Sequence, residues 1–208
     1  MPVSLLEEWI QYNGEMDVKD MLARRVRELR VARGDSLETL AARSGVSRSN
    51  ISLIERGQSS PTAVVLDKLA GALGVALAAL FDEPAAAAPP SPLARAEEQP
   101  VWTDPDSGYV RRNLSPAGAP ALQLVEVDFP AGKSVAYDTP ARETEIHQQV
   151  WILEGAMEMT VGEQRWRLRA GDCLSMRLDR PIAYRNPTRK RARYLVALAT
   201  LPGRRRAA

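Results

Sequence analysis

The amino-acid sequence predicts a two-domain protein, in which an all-α bundle of five helices precedes an all-β jelly-roll barrel. The 208 residues are enough for two domains of ordinary size, each with its own core. Before residue 82 the apolar residues recur at helical spacing, whereas after residue 100 β-branched and aromatic residues alternate with Gly and Pro turns. Between the two, a Pro- and Ala-rich stretch lacks the apolar side chains that a packed core needs and is typical of a linker.

These composition changes divide the chain into five segments. They are an N-terminal extension, a helical domain, the linker, a β domain and a basic tail, at residues 1–16, 17–81, 82–100, 101–201 and 202–208. The helical domain carries a net charge of +3, the linker carries −3, and the β domain together with the basic tail carries +5. Because the overall net charge is only +2, charge alone does not predict a nucleic-acid partner.

Composition also restricts the classes of protein to consider. No apolar run approaches the roughly 20 residues that a membrane span needs, and the N-terminus is acidic rather than basic, so we expect a cytoplasmic protein. A lone cysteine, Cys173, excludes an intrachain disulfide and a cysteine-based zinc site. His147 is the single histidine, which leaves few ligands for a metal and disfavours an enzyme.

Helix boundaries in the first domain follow from capping residues and apolar spacing. The first helix ends at Gly34, and Ser36 and Ser47 are suited to cap the second and third helices. Pro61 suits the first turn of a fourth helix, and a last short turn over residues 75–81 completes five helices. Two short helices joined by a glycine-containing turn have the geometry that places a second helix in the major groove of DNA.

The segment LETLAARSGVSRSNISLIERGQSSPT resembles the Xre-type helix-turn-helix family, which includes the lambda-like phage repressors. The matching positions are Leu40-Ala41, Gly45-Val46-Ser47, Ile51-Ser52, Ile54-Glu55 and Gly57. The resemblance covers about residues 17–81. It implies a lambda-repressor-like domain that binds double-stranded operator DNA.

The same resemblance places the recognition helix at Ser47 to Arg56. Ile51 and Ile54 are required for the core, so the other positions face outward. The expected base contacts are Arg48, Ser49, Asn50 and Leu53, and the expected phosphate contacts are Arg43, Ser47, Ser52 and Arg56. Glu38 lies near a position where the family often has a phosphate-binding glutamine, and we do not assign it that contact because an acid repels phosphate.

Nine strand-like segments follow one another between residues 108 and 201, with a turn signal after most of them. The stretch QQVWILEGAMEMTVGEQRWRLRAGD, followed by PIAYRNP, resembles the cupin family. Its hallmarks are Gly155, Gly162, the Arg169–Asp172 turn and the turn from Pro181 to Asn186. We expect Trp151, Trp166, Met157 and Met159 to belong to the core.

The cupin resemblance also shows which metal ligands are missing. Metal-dependent cupins hold their ion with two histidines and a glutamate in the first motif and one histidine in the second. Here Gln148 replaces the glutamate, Arg142 and Thr144 fall at about the histidine positions, and Ile182 replaces the last histidine. His147 matches none of these positions, so we predict a metal-free barrel with no cofactor and a structural or surface role for His147.

A barrel without its metal can still bind a small molecule. The candidate effector pocket consists of Arg142, Thr144, Gln148, Ile182 and Tyr184. Equally, Arg142 fits a surface charge, Gln148 a loop residue and Tyr184 a core position. The combined resemblance implies a repressor that senses an effector and binds DNA as a homodimer. Two alternatives stay open: a cupin enzyme with an appended DNA-binding domain, and an antitoxin or phage-type regulator whose barrel binds a protein.

Overall fold

A computed structural model describes residues 15–82, 91–118, 121–138 and 145–201. It contains a helical domain followed by two antiparallel β-sheets. Two predicted pocket residues, Arg142 and Thr144, and the predicted tail at 202–208 lie outside the described residues. Within the described ranges, no helix is both long and apolar enough to cross a membrane.

The helical domain has four α-helices and one 3-10 helix in the described part of the chain. The α-helices are α1 (Glu15–Ala32), α2 (Leu37–Ser44), α3 (Arg48–Glu55) and α4 (Ala63–Leu73), and the 3-10 helix is Leu77–Phe81. The prediction of five α-helices was therefore wrong in its last member. Gly74 ends α4 with a φ of 76°, and the few residues left before Asp82 form a single tighter turn.

Side-chain caps begin three of these helices. The hydroxyls of Ser36, Ser47 and Thr62 accept hydrogen bonds from the backbone N–H groups three residues ahead of them. Ser36 and Ser47 are the caps that the sequence predicts. Pro61 was wrongly placed inside α4, because Thr62 caps the helix and Pro61 precedes that cap.

The described part of the β domain forms ten strands in two antiparallel sheets. The strands are β1 (Val101–Thr103), β2 (Val110–Asn113), β3 (Leu122–Phe129), β4 (Ser134–Tyr137), β5 (Glu145–Glu154), β6 (Ala156–Val161), β7 (Gln164–Arg169), β8 (Cys173–Arg177), β9 (Ile182–Arg185) and β10 (Ala192–Leu201). One sheet has the order β1-β2-β3-β10-β5-β8 and the other β4-β9-β6-β7. Nine strands correspond to the predicted segments, and β1 is additional. The predicted all-β domain is present, but its two sheets do not join into one closed cylinder in the described residues, so the jelly-roll barrel was predicted too closed.

The inner faces of the sheets carry alternating apolar side chains. Met157 and Met159 are fully buried and Trp166 is partly buried, as predicted. Trp151 is 48% exposed, so its assignment to the core was wrong. Val150 and Ile152 on either side of it point inward, and strand alternation therefore directs Trp151 to the outer face.

The helical and β domains share a continuous apolar core. The ring centroids of Phe81 and Trp102 are 5.7 Å apart, and the Arg111 guanidinium lies 4.3 Å from the centroid of the Phe81 ring. Asp82, the first residue of the predicted linker, is buried and accepts hydrogen bonds of 2.9–3.0 Å from the Gln123 side chain on β3. The end of the helical domain is thus fixed to the six-stranded sheet.

A buried carboxylate makes a second junction between the domains. Asp104, in the turn between β1 and β2, accepts a 2.9 Å hydrogen bond from the N–H of Ala63, the first residue of α4. It also accepts bonds from the Ser107 N–H at 2.9 Å and from the Ser107 hydroxyl at 2.5 Å. The first N–H groups of a helix have no partner inside it. Asp104, in the β domain, therefore supplies the acceptor for one such N–H group at the start of α4.

Candidate DNA interface and interior cavity

The α3 helix presents a polar face at the surface. The Ser47 hydroxyl accepts a 3.3 Å hydrogen bond from the Asn50 N–H and fixes the start of the helix. Ile51 and Ile54 are 0% and 2% exposed, as the recognition-helix prediction requires. The opposite side of the first turn carries the exposed Arg48 and Ser49.

The remaining residues of the predicted DNA interface surround this face. Asn50 and Ser52 are half-buried at its edges, and Leu53 is 38% exposed. Arg43, Ser47 and Arg56 are exposed on α2 and at the two ends of α3. A continuous surface with three guanidinium groups, hydroxyls and one amide has the donors that phosphates and base edges accept.

Most of the basic side chains in this region have acidic or polar neighbours. Arg48 Nε lies 2.6 Å from Glu38 Oε1, and Arg43 Nη1 lies 2.8 Å from Asp35 Oδ2. The pKa of the Glu38 carboxyl is lowered by a hydrogen bond with its own backbone and by Arg48. The Arg48–Glu38 pair is exposed on both sides, and exposed pairs contribute little to stability, so a DNA phosphate or base can replace this carboxylate.

A bidentate ion pair holds α3 against α1. Arg30 Nε and Nη2 each donate a 2.7 Å hydrogen bond to one oxygen of Glu55, and both side chains are mostly shielded from solvent. The pKa of Arg30 is raised, first by its hydrogen bond to Glu55. This pair fixes the orientation of the α3 face relative to the rest of the helical domain.

The described structure contains an interior cavity of about 80 Å³ between the two sheets and the helical domain. From the helical domain it is lined by Asp67 on α4 and by Leu77 and Ala78 on the 3-10 helix. The β domain supplies the remaining lining residues, which are Tyr109, Arg111, Val125, Val127, Phe129, Tyr137, Gln148, Leu178, Ile182, Tyr184, Tyr194, Val196 and Leu198. The cavity is therefore a space shared by both domains.

Three of the five predicted pocket residues line this cavity. Gln148 on β5 and Ile182 and Tyr184 on β9 face one another, and Gln148 Nε2 donates a 2.5 Å hydrogen bond to the Tyr184 hydroxyl. Gln148 is buried on a strand and is not a loop residue. The two sheets thus meet where the cupin resemblance places the metal ligands.

Sequence reasoning missed the most polar part of the cavity. Arg111 on β2 is 5% exposed, and its Nη2 donates a 3.2 Å hydrogen bond to Asn113 Oδ1. Its neighbour Arg112 is paired with Glu126 at 3.2 Å. Strand alternation predicts that one of two consecutive arginines points inward, but it does not say which one.

Four tyrosines line the cavity with Arg111. Burial raises the pKa of Tyr109 to about 12 and raises those of Tyr137, Tyr184 and Tyr194 as well. Burial lowers the pKa of Arg111, which still keeps its charge because guanidinium groups do not deprotonate in proteins. Near neutral pH the described lining of the cavity therefore combines the Arg111 cation and protonated phenols with the side chains of Asp67 and Gln148.

The described residues contain no group of three or more His, Cys, Asp and Glu side chains placed to hold a metal ion. His147 lies on the outer side of β5, where its Nε2 is 2.9 Å from Glu145 Oε1. Gln148 and Ile182 face the cavity at two of the positions where metal-dependent cupins have ligands.

The two halves of the chain match two known families. A helix-turn-helix family matches residues 26–80, and a cupin domain family matches residues 126–198. A helix-turn-helix domain followed by a cupin domain defines a class of two-domain DNA-binding regulators.

Individual relatives agree with this class. The HTH-type transcriptional regulator SutR of Escherichia coli is 26% identical over 165 residues, which cover 79% of this chain and 86% of SutR. The uncharacterized HTH-type transcriptional regulator y4dJ of Sinorhizobium fredii is 40% identical over 60 residues, which cover 29% of this chain and 78% of y4dJ. A crystal structure of an HTH_3 family transcriptional regulator from Vibrio cholerae matches with a TM-score of 0.69 and 26% identity, over 89% of this chain and 98% of that one. The chain belongs to the Xre-type HTH transcriptional regulators and carries a C-terminal cupin domain.

Proposed function

We propose that the protein is a transcriptional repressor that binds operator DNA as a homodimer and is controlled by a small molecule in the interior cavity. The observation that carries this proposal is the shared lining of the cavity. Asp67, Leu77 and Ala78 of the DNA-binding domain line the same space as Gln148 and Tyr184 of the cupin domain. A ligand in that space contacts both domains at once.

The proposed base contacts are Arg48, Ser49, Asn50 and Leu53, and the proposed phosphate contacts are Arg43, Ser47, Ser52 and Arg56. Arg48 can bond guanine O6 and N7, and Asn50 can pair with adenine. Because Ile51 and Ile54 fix the opposite side of α3 in the core, this face has one orientation relative to the domain. The ion pairs of Arg48 and Arg43 exchange their carboxylates for DNA on binding.

An exposed apolar patch supports the homodimer. On the outer face of the six-stranded sheet, Leu122, Leu124 and Trp151 are 52%, 38% and 48% exposed. The strand register places Leu195 beside Trp151 and Ala197 beside Leu124, so these side chains form a connected surface across β3, β10 and β5. A second copy would cover this patch, and a two-fold dimer presents two recognition helices to two half-sites.

Control by a ligand requires that it favour one arrangement of the DNA-binding domains. The α4 helix contributes Asp67 to the cavity and packs against α2, which precedes the recognition helix. A shift of α4 is therefore passed on to the DNA-binding face by direct contact. Typical coupling free energies of about 1–3 kcal/mol correspond to about 5- to 150-fold changes in operator affinity.

We infer a regulatory rather than a catalytic role for the cupin domain. The relatives SutR and y4dJ carry the names of transcriptional regulators. Two of the positions that hold metal in metal-dependent cupins are filled by an amide and an aliphatic side chain, Gln148 and Ile182, which are poor ligands for a transition metal.

Fluorescence anisotropy with duplexes from the region upstream of the protein's own coding sequence tests the DNA-binding claim. We expect wild type to prefer one duplex, and Arg48→Ala and Asn50→Ala each to weaken that binding by about 10- to 100-fold. Arg167→Ala is the matched control, because Arg167 is exposed on β7 of the cupin domain. If wild type binds all duplexes equally, or if both variants retain full preference, the proposal fails.

A further inference from the structure

We infer that the interior cavity is a binding site for a small monocarboxylate with a short apolar body, and that Arg111 is the counter-ion of its carboxylate. This inference rests on the proposed function, because it names the chemical class of the effector. It also stands on its own observations, which are the unpaired cation, the hydroxyl donors and the apolar wall of one cavity.

Arg111 is a buried cation without an ion pair. It is 5% exposed, its Nε has no hydrogen-bond partner, and no acidic side chain in the described ranges lies within 4.0 Å of its guanidinium. Within the described residues its guanidinium donates one hydrogen bond, to Asn113, and lies over the Phe81 ring. Burying a charge without a partner is costly, and a ligand carboxylate in the cavity would remove that cost.

Two acids of this region, Asp82 and Asp67, already have partners of their own. Asp82 attracts Arg111 but directs both of its oxygens to the Gln123 amide. Asp67 lines the cavity from α4 and has an interaction partner of its own. A carboxylate from outside the protein is thus the matching partner for this guanidinium.

The tyrosines add hydrogen-bond donors to the same space. Tyr184 accepts its bond from Gln148 and so keeps its own proton for a ligand. Tyr109 and Tyr137 are 3.2 Å apart at their hydroxyls, and a bond between them uses only one of two protons. Among the described residues the Tyr194 hydroxyl has no hydrogen-bond partner, and its raised pKa keeps it a donor. A site with excess donors selects a ligand with acceptor oxygens.

The rest of the wall sets the size and polarity of the ligand. Val125, Phe129, Leu178, Ile182, Val196 and Leu198 line the cavity with apolar surface. A volume of about 80 Å³ is several times what one water needs but only about half that of a cavity that holds benzene, so a molecule of roughly three to six non-hydrogen atoms is the right scale. A single guanidinium matches one carboxylate through two parallel hydrogen bonds, whereas a second acidic group on the ligand would meet Asp67.

Isothermal titration calorimetry of the full chain with propanoate and 2-methylpropanoate tests this assignment, with propanamide and 2-methylpropanamide as uncharged isosteres. We expect each acid to bind at least about tenfold more tightly than its amide, because only the acid pairs with the guanidinium. Arg111→Gln should abolish that preference. Arg112→Gln is the matched control, since Arg112 is on the same strand and paired with Glu126.

A second variant covers the case in which Arg111→Gln does not fold. Tyr194→Phe removes one hydroxyl and keeps the ring, and it should weaken acid binding several-fold while leaving the melting temperature of the free protein nearly unchanged. Amides that bind as well as acids, or the absence of acid binding up to millimolar concentration, would overturn the assignment.

Operator affinity measured in parallel separates this inference from the proposed function. Acids that bind and also change operator affinity support both. Acids that bind without changing operator affinity support the site and overturn the effector role. Intact operator binding together with no acid binding overturns the site alone.

Discussion

The buried carboxylate of Asp104 gives the sharpest stability prediction, because it joins the two domains through a helix terminus. Asp104→Ala removes three hydrogen bonds, two from backbone N–H groups of Ala63 and Ser107 and one from the Ser107 hydroxyl. Asp104 is 2% exposed, so water does not readily replace the lost oxygens. The variant should therefore leave buried donors without partners.

The size of the effect follows from the groups that lose their acceptor. A buried donor without a partner costs about 1–3 kcal/mol, and loss of a helix cap costs about 0.5–2 kcal/mol. The removed carboxylate no longer has to be desolvated, which offsets part of this sum. We expect a loss of about 3 kcal/mol in the free energy of unfolding, or about 6–12 °C in melting temperature for a chain of this size.

Urea denaturation followed by circular dichroism measures this loss, with the helical and β signals recorded together. Asp106→Ala is the matched control, because Asp106 is an exposed acid in the same turn. The control should change stability by less than about 0.5 kcal/mol. If the free energy of unfolding of Asp104→Ala changes as little as that of the control, the role of Asp104 in joining the two domains is refuted.

Three further predictions concern the Arg30–Glu55 ion pair, the buried acid Asp82 and the exposed apolar patch on the six-stranded sheet. Glu55→Gln breaks the bidentate pair with Arg30 and should lower stability by about 2 kcal/mol and weaken operator binding, as denaturation and anisotropy can measure. Burial raises the pKa of Asp82 above 3.8, so the folded state holds the proton of this carboxyl more tightly than the unfolded chain does. The stability of wild type relative to Asp82→Asn should therefore fall as the pH rises from below 3.8 through the folded-state pKa. Melting curves recorded across this pH range measure the difference, and a flat or rising difference would contradict the prediction. Leu124→Glu places a charge in the exposed apolar patch and should shift sedimentation from dimer to monomer, whereas Glu163→Gln, on the exposed β6–β7 turn, should not.

Local sequence signals were enough to position the α3 helix. Ser47 gives the cap, and the spacing of Ile51 and Ile54 decides which side of α3 is buried, so the outward face follows without knowledge of the rest of the fold. The cupin resemblance likewise placed Gln148, Ile182 and Tyr184 together, and the structure brings all three to one cavity.

Features that depend on contacts between distant segments were not predictable in the same way. Which of Arg111 and Arg112 points inward depends on the register of β2 with β3, and Trp151 was assigned by residue type although strand alternation places it outside. The bond from Ala63 to Asp104 joins residues 41 positions apart, and no local pattern indicates it. The helical side of the cavity was missed for the same reason.

Hydroxyl-radical footprinting of the upstream DNA with the wild-type protein tests the central claim most directly. The claim is that a homodimer presents two α3 helices to one operator. It predicts two protected half-sites whose centres are about one helical turn apart, roughly 10 base pairs, and loss of both protections together in Asn50→Ala. Uniform protection along the DNA, or a single protected site that Asn50→Ala leaves intact, would contradict it.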